Sequence, residues 1–127
     1  MSDEFDPTVK AEWVKRLRSG AYKQGFGYLR NTDDSYCCLG VLCEIAVEQG
    51  IIPEPKQYPG MAWGYVDTSQ GDSARFGGPP KAVYRWAVGW PEGANSWRPT
   101  WVSRLIDMND DEKKSFNQIA EYIEENL

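Results

Sequence analysis

Apolar residues recur at helical spacing in four stretches of the chain. In the first, Val9, Trp13, Val14 and Leu17 share one side of a helix and leave Lys15, Arg16 and Arg18 outside. Asp6 followed by Pro7 marks its start, a side-chain cap and then a residue whose missing N–H costs nothing there. Gly20 marks its end. The second stretch runs from about Tyr36 to Gln49 and stops at Gly50. Around it Cys38, Leu39, Val41, Leu42, Cys43, Ile45, Ala46 and Val47 sweep a wide apolar arc. Only Cys37, Gly40, Glu44 and Glu48 share the remaining stripe. A helix of this kind is buried on most of its circumference, which predicts the central element of the fold. In the third, "PPKAVYRWAVG", a helix begins at proline and turns Val83, Trp86 and Ala87 inward. The last opens on a capping box, Ser115 with Gln118, and continues with Phe116, Ile119, Ala120 and Ile123 on one face.

Shorter stretches read as strands. "FGYLR" (26–30) combines β-formers with glycine punctuation, "MAWGYVDT" lies within a proline-rich region, and "WVSRLIDM" (101–108) is rich in β-formers, with a helical turn as the alternative there. "NTDDS" is a turn that leads into the cysteine helix. Residues 52–80 carry five prolines and five glycines together with Tyr58, Trp63, Tyr65 and Phe76, aromatics that a plain linker would not need. A long irregular segment of this kind in a compact domain is usually functional. The expected fold is α+β, one domain over residues 1–127. It has about four helices, of which the cysteine-bearing one is central and buried, with a small, mainly antiparallel sheet and a long Gly/Pro-rich loop.

Charge and composition narrow the function. The net charge is −5, which argues against direct nucleic-acid binding. The charge is unevenly spread: Lys10, Lys15, Arg16, Arg18, Lys23 and Arg30 lie early in the chain, and seven acids lie between residues 107 and 126. No apolar run approaches the roughly 18 residues a membrane span needs. "MSDEFDPT" has the character of neither a signal nor a transit peptide, so a cytoplasmic protein is expected.

The three cysteines lie within seven positions, and the chain has no histidine. Zinc takes about four N or S ligands, and Cys38 and Cys43 point about 140° apart on a helix, so neither a metal nor another cofactor is expected. There is no C-x-x-C, and neighbouring cysteines make a strained disulfide. Cys37 and Cys38 lie at a helix N-terminus, where the dipole lowers a thiol's pKa. They are the candidate nucleophiles, and no histidine base accompanies them. Cys38 and Cys43 fit core filling, while Cys37 shares the sparse stripe with Gly40, whose bare backbone admits a close neighbour or a ligand.

Two resemblances are carried by these residues. "CLGVLCEIAVEQGII" is locally similar to the active-site helix of papain-like cell-wall peptidases, which implies a papain-like thiol hydrolase or a related fold without the activity. "EWVKRLRSGAYKQGFGYLR", "YCCLGVLCEIA", "PPKAVYRWAVG" and "LIDMNDDEKKSFNQIAEYIEENL" resemble a family of small bacteriophage and prophage proteins. Its members share a "CCLGVLC" block and a closing "LND…SF…IA…IE" block. This resemblance implies the cytoplasm of an infected bacterium and a role against host defence. Outside the apolar faces, Gln24, Arg30, Asn109 and Asp110 match its blocks, with Asn109 and Asp110 in a loop before the last helix.

Two binding functions compete. In the one preferred on sequence, a non-enzymatic protein sequesters a nucleotide-like small molecule. Trp63, Tyr65, Trp90 and Trp97 would supply aromatic walls, and Arg30 with Arg85 or Arg98 would meet phosphates. Gln24, Cys37, Asn109 and Asp110 complete the candidate site. In the other, the protein inhibits a host protein through an acidic surface drawn from Asp110, Asp111, Glu112, Glu121, Glu124 and Glu125.

Overall fold

In a computed structural model, described for residues 5–57, 62–66, 74–75, 77–89 and 100–127, five α-helices and a three-stranded sheet surround one apolar core. The helices are α1 (Pro7–Arg18), α2 (Cys38–Glu48), α3 (Lys81–Val88), α4 (Thr100–Ile106) and α5 (Phe116–Asn126). The strands β1 (Lys56–Gln57), β2 (Trp63–Val66) and β3 (Ala74–Arg75) pair antiparallel in the order β1-β2-β3. Lys56 lies opposite Gly64 and Tyr65 opposite Arg75, so the proline-rich stretch carries the whole sheet. The α+β class and the small antiparallel sheet hold. Among the described residues no helix is long and apolar enough to cross a membrane.

Helix α2 is the spine. Cys38, Leu39, Val41, Leu42, Cys43 and Ala46 are fully buried, and α1, α3 and α4 pack around them. Helix α1 starts as its sequence requires: the Asp6 carboxylate accepts from the N–H groups of Thr8 (2.9 Å) and Val9 (3.2 Å). Its Trp13 is fully buried and stacks on Phe5. The indole N–H of Trp13 donates to the Cys38 carbonyl at 2.9 Å, so the large ring enters the core with its donor satisfied. Helix α5 lies along α1, and its capping box forms in both directions: Ser115 Oγ accepts from Gln118 N, and Gln118 Oε1 accepts from Ser115 N.

Three expectations require correction. Residues 101–108 are helical, not a strand. Val102, Leu105 and Met108 are buried at a spacing of three, and that helical stripe outweighs the β propensity of Trp101, Val102 and Ile106. The helix then widens into a π turn, Asp107–Asp111, closed by Glu112 N–H on the Asp107 carbonyl at 2.9 Å. Asn109 and Asp110 therefore belong to a helical turn, not to a loop before the last helix.

The third correction concerns "FGYLR", which forms no strand. Only its last residue pairs, Arg30 with Tyr36, while Gln24 bridges to the same Tyr36 from the other side. The chain leaves at Gln24 and returns at Arg30, so residues 25–29 make a loop closed at its base. Gly27 turns the tip with φ +89, a backbone conformation that glycine adopts without strain. Leu29 is fully buried, whereas Phe26 and Tyr28 are 44% and 49% exposed.

Candidate functional site

The candidate residues fall into two groups, on either side of the start of α2. The first gathers under the loop. Asn109 is fully buried in the π turn, and its side-chain amide donates to the Gly25 carbonyl (2.9 Å) and to Asp110 Oδ1 (2.9 Å). Its Oδ1 accepts from Gln24 Nε2 at 3.0 Å. Gln24 Nε2 also donates to the Lys114 carbonyl at 2.7 Å. Asp110 Oδ1 accepts the Gly27 backbone N–H at 3.0 Å. Gln24, Asn109 and Asp110, up to 86 positions apart in sequence (110 − 24), thus form a clasp that fixes the loop from beneath. Every polar atom of the Asn109 side chain is used, so the clasp rigidifies the loop and leaves that amide nothing to offer a ligand.

Above the clasp the loop presents Phe26 and Tyr28 to solvent. Lys113 Nζ lies 4.1 Å from the centre of the Phe26 ring, a cation–π contact that steadies it. Asp107, Asp111 and Glu112 are exposed on the turn below. Glu112 pairs with Arg104, whereas Asp107 and Asp111 have no ion pair among the described residues. Sequence reasoning missed Phe26 and Tyr28 as surface groups. The available signal was the glycine on either side of Phe26, which breaks a ladder sooner than it builds one.

The second group centres on Arg30. Its guanidinium donates through two nitrogens to Asp34 Oδ1 (3.1 and 2.8 Å) and stacks on Trp63, 3.9 Å from the ring centre. The Arg30 carbonyl accepts from Trp63 N at 3.0 Å, which joins the base of the loop to β2. Tyr65 is fully buried, and its hydroxyl donates to Glu44 Oε2 at 2.6 Å. Burial pushes the Tyr65 hydroxyl pKa up, and the nearby Cys43 and Glu44 add to the shift. Arg30 and Trp63, both candidates for the ligand site, lie against each other, and each is engaged with the other. Arg85 is half-buried on α3. Trp90, Trp97 and Arg98 lie outside the described residues, as do Tyr58 and Phe76.

Of the two readings of Cys37, beside a close neighbour or beside a ligand, its burial fits the first and not a ligand contact. Cys37 caps α2 and is only 5% exposed, although it falls on the polar stripe of the helix. The reason is Gly40, one turn on: the Leu29 carbonyl lies where a Cβ on Gly40 would be, 1.8 Å from its ideal position. The loop's returning limb thus lies across the start of α2 and covers both residues. The close neighbour that Gly40 admits is backbone, not a ligand.

Burial also decides the thiol chemistry. Burial pushes the Cys37 pKa up to about 12, against the opposing pull of the Gly40 and Leu39 N–H groups at the helix start. Desolvation outweighs the helix-end field, and Cys38 and Cys43 are pushed up well above the ordinary thiol range for the same leading reason. All three thiols are buried and protonated at neutral pH, the opposite of what a nucleophile needs. Among the described residues no three His, Cys, Asp or Glu side chains converge as a metal site would need.

The same burial makes stability sensitive to alkali. Unfolded thiols ionise near pH 9 and the folded ones do not, so above pH 9 the unfolded state holds fewer protons and stability falls. Each thiol removes up to about 1.4 kcal/mol per pH unit in that window. Urea midpoints at pH 8, 9 and 10 check this. Cys43→Ala should show a shallower decline than the parent, and identical slopes would refute the assignment.

The structure is thus an α+β domain built on a buried, thiol-rich helix with a clasped aromatic loop at its side. The chain belongs to a family of domains of unknown function, DUF8296, whose sequence model matches residues 5–127. No curated protein and no solved structure matches the chain.

Proposed function

We propose that the protein is a non-enzymatic docking module that binds another protein through the loop tip and the π turn beside it. The observation that carries this reading is the pair Phe26 and Tyr28, exposed on a loop that Asn109 and Asp110 hold from below. Large exposed aromatics are the commonest interface anchors. An anchor that is already ordered loses little entropy on binding. Asp107 and Asp111 beside it, unpaired among the described residues, select a partner with an apolar pocket rimmed by Lys or Arg. The resemblance to phage proteins supports a host protein of the infected bacterium as that partner, and hence an inhibitor of host defence.

A nucleotide-like ligand has less support. Arg30, the residue meant for its phosphate, is bonded to Asp34 and stacked on Trp63, and the adjoining cleft carries Glu44, Glu48 and Glu54. These carboxylates would repel a phosphate.

The test is affinity capture from bacterial extract, followed by titration of the purified partner. The double variant Phe26→Ala/Tyr28→Ala should keep the parent's thermal midpoint within about 2 °C, because both side chains are solvent-facing. It should lose at least about tenfold in affinity, the size of a hot-spot truncation. Affinity of the parent should also fall between about 50 and 500 mM salt, as expected when exposed charges contribute. A partner that binds parent and double variant equally, or that ignores salt, would overturn the proposal.

A further inference from the structure

The anchor at the loop tip has its complement elsewhere on the same chain. Along α1, beside the last turn of α5, runs a groove of about 580 Å³. Its floor is apolar: Pro7, Ala11 and Val14 follow one another at spacings of four and three on one side of α1. Its rim is basic: Lys10, Lys15 and Arg18 line it together with a single carboxylate, Glu124. Arg18 pairs with that carboxylate at 2.8 Å, and Lys10 Nζ donates to the Glu124 backbone carbonyl at 3.2 Å. Lys15 is exposed and has no ion pair among the described residues, so the groove keeps an excess of positive charge. Its volume lies within the roughly 300–1,000 Å³ of ordinary binding sites.

An apolar floor with a basic rim is what the tip requires of a partner. Phe26 and Tyr28 stand in solvent, and Asp107 and Asp111 beside them have no ion pair among the described residues. Lys113 covers part of the Phe26 ring and leaves the rest exposed. One copy cannot satisfy itself. The tip is tied to the start of α5 through the Gln24–Lys114 bond, the groove lies at the far end of that helix, and its 11 residues measure about 16 Å. We propose that a second copy of the chain fills the groove. Phe26 and Tyr28 of one molecule pack on Pro7, Ala11 and Val14 of the next, with Asp107 and Asp111 opposite Lys10 and Lys15. The inference rests on the reading of the tip as a docking anchor, and it names this chain as one of the anchor's partners. The contact joins two different surfaces, so copies add head to tail. A foreign partner that takes the tip displaces a neighbouring copy.

Sedimentation equilibrium of the intact protein is the test. The weight-average mass should rise with concentration below about 1 mM, the range of a small, transient contact. It should fall back toward the monomer between about 50 and 500 mM salt. The tip variant Phe26→Ala/Tyr28→Ala and the groove variant Ala11→Gln/Lys15→Glu should each stay monomeric. All four positions are exposed, and Gln and Glu are good helix formers, so both variants keep the fold. Mixed in equal amounts, the two variants should pair and stop at two copies, because one keeps only a groove and the other only a tip. A monomeric parent overturns the proposal, as does a parent whose association either variant leaves unchanged, or a mixture that stays monomeric. Failure of the docking reading itself has a separate signature: a captured bacterial partner then binds parent and tip variant equally, whatever the parent's own mass.

Discussion

Gly40→Ala should abolish cooperative folding or reduce stability by at least about 4 kcal/mol, most of what a small domain has. The added Cβ would sit 1.8 Å from the Leu29 carbonyl oxygen and 2.7 Å from its carbon. Neither atom belongs to a flexible side chain. Leu29 is fully buried, and its carbonyl also accepts the Cys37 N–H at 3.2 Å, so relief requires moving a packed backbone segment. Alanine is the better helix former, and intrinsic propensity alone would favour the variant by up to about 1 kcal/mol. The clash is several times larger and sets the sign. Gly50→Ala is the natural contrast. Nothing lies within 4 Å of its added carbon, and the cost there comes only from a backbone φ of +75. That cost is about 1 kcal/mol. Urea denaturation of both variants separates the effects, and a Gly40→Ala midpoint close to the parent's would mean that the loop does not lie across α2.

Asn109→Ala should lose about 2–4 kcal/mol and disorder the loop tip. The substitution leaves the Gly25 carbonyl without its side-chain donor in the interior and takes one acceptor from Gln24. A buried group stripped of its partner costs the full desolvation penalty, and a network loses more than one bond's worth. Asp110→Ala should cost less, because Asp110 is only half-buried and its bond to the Gly27 N–H is near the surface. Hydrogen exchange at Gly27 gives the local readout: both variants should speed it, and Asn109→Ala should also lower the global midpoint. If the tip serves as a partner anchor, both variants weaken that contact without touching it. An Asn109→Ala protein with parental stability and parental Gly27 exchange would show that the clasp does not hold the loop.

What could be read from the sequence follows how local the signals are. Helices α1, α2, α3 and α5 announce themselves through caps and apolar stripes within about a dozen residues, and their bounds match to within a few positions. Helix α4 was hidden because Trp101, Val102 and Ile106 favour strands, while the deciding Val102–Leu105–Met108 stripe takes shape only against α2. The exposed turn tip in "FGYLR" was hidden for a related reason. A strand needs a ladder partner, and the one residue opposite, Tyr36, is shared by Gln24 and Arg30.

The candidate site was legible only in pieces. Gln24, Asn109 and Asp110 were singled out by their match to the family blocks, but residues 85 apart carry no local hint that they bond. The polar stripe of α2 misplaced Cys37, since amphipathic reasoning treats a helix as one object and cannot see the loop laid across its first turn. Gly40 held the clue, as a bare position amid large apolar neighbours. Glu44 and Glu48 were placed correctly on the open stripe, and the cleft beside them needed Trp63 brought up by β2.

Because the chain departs and rejoins at a single tyrosine, Tyr36, and Asp110 holds the tip by the Gly27 backbone N–H, the side chains of the three fingertip residues take no part in the core. Positions 26–28 can be exchanged with little consequence for the interior, provided that glycine or an equally permissive residue keeps the bend at 27. If the tip is a partner anchor, that tripeptide is the natural place to graft a foreign binding motif.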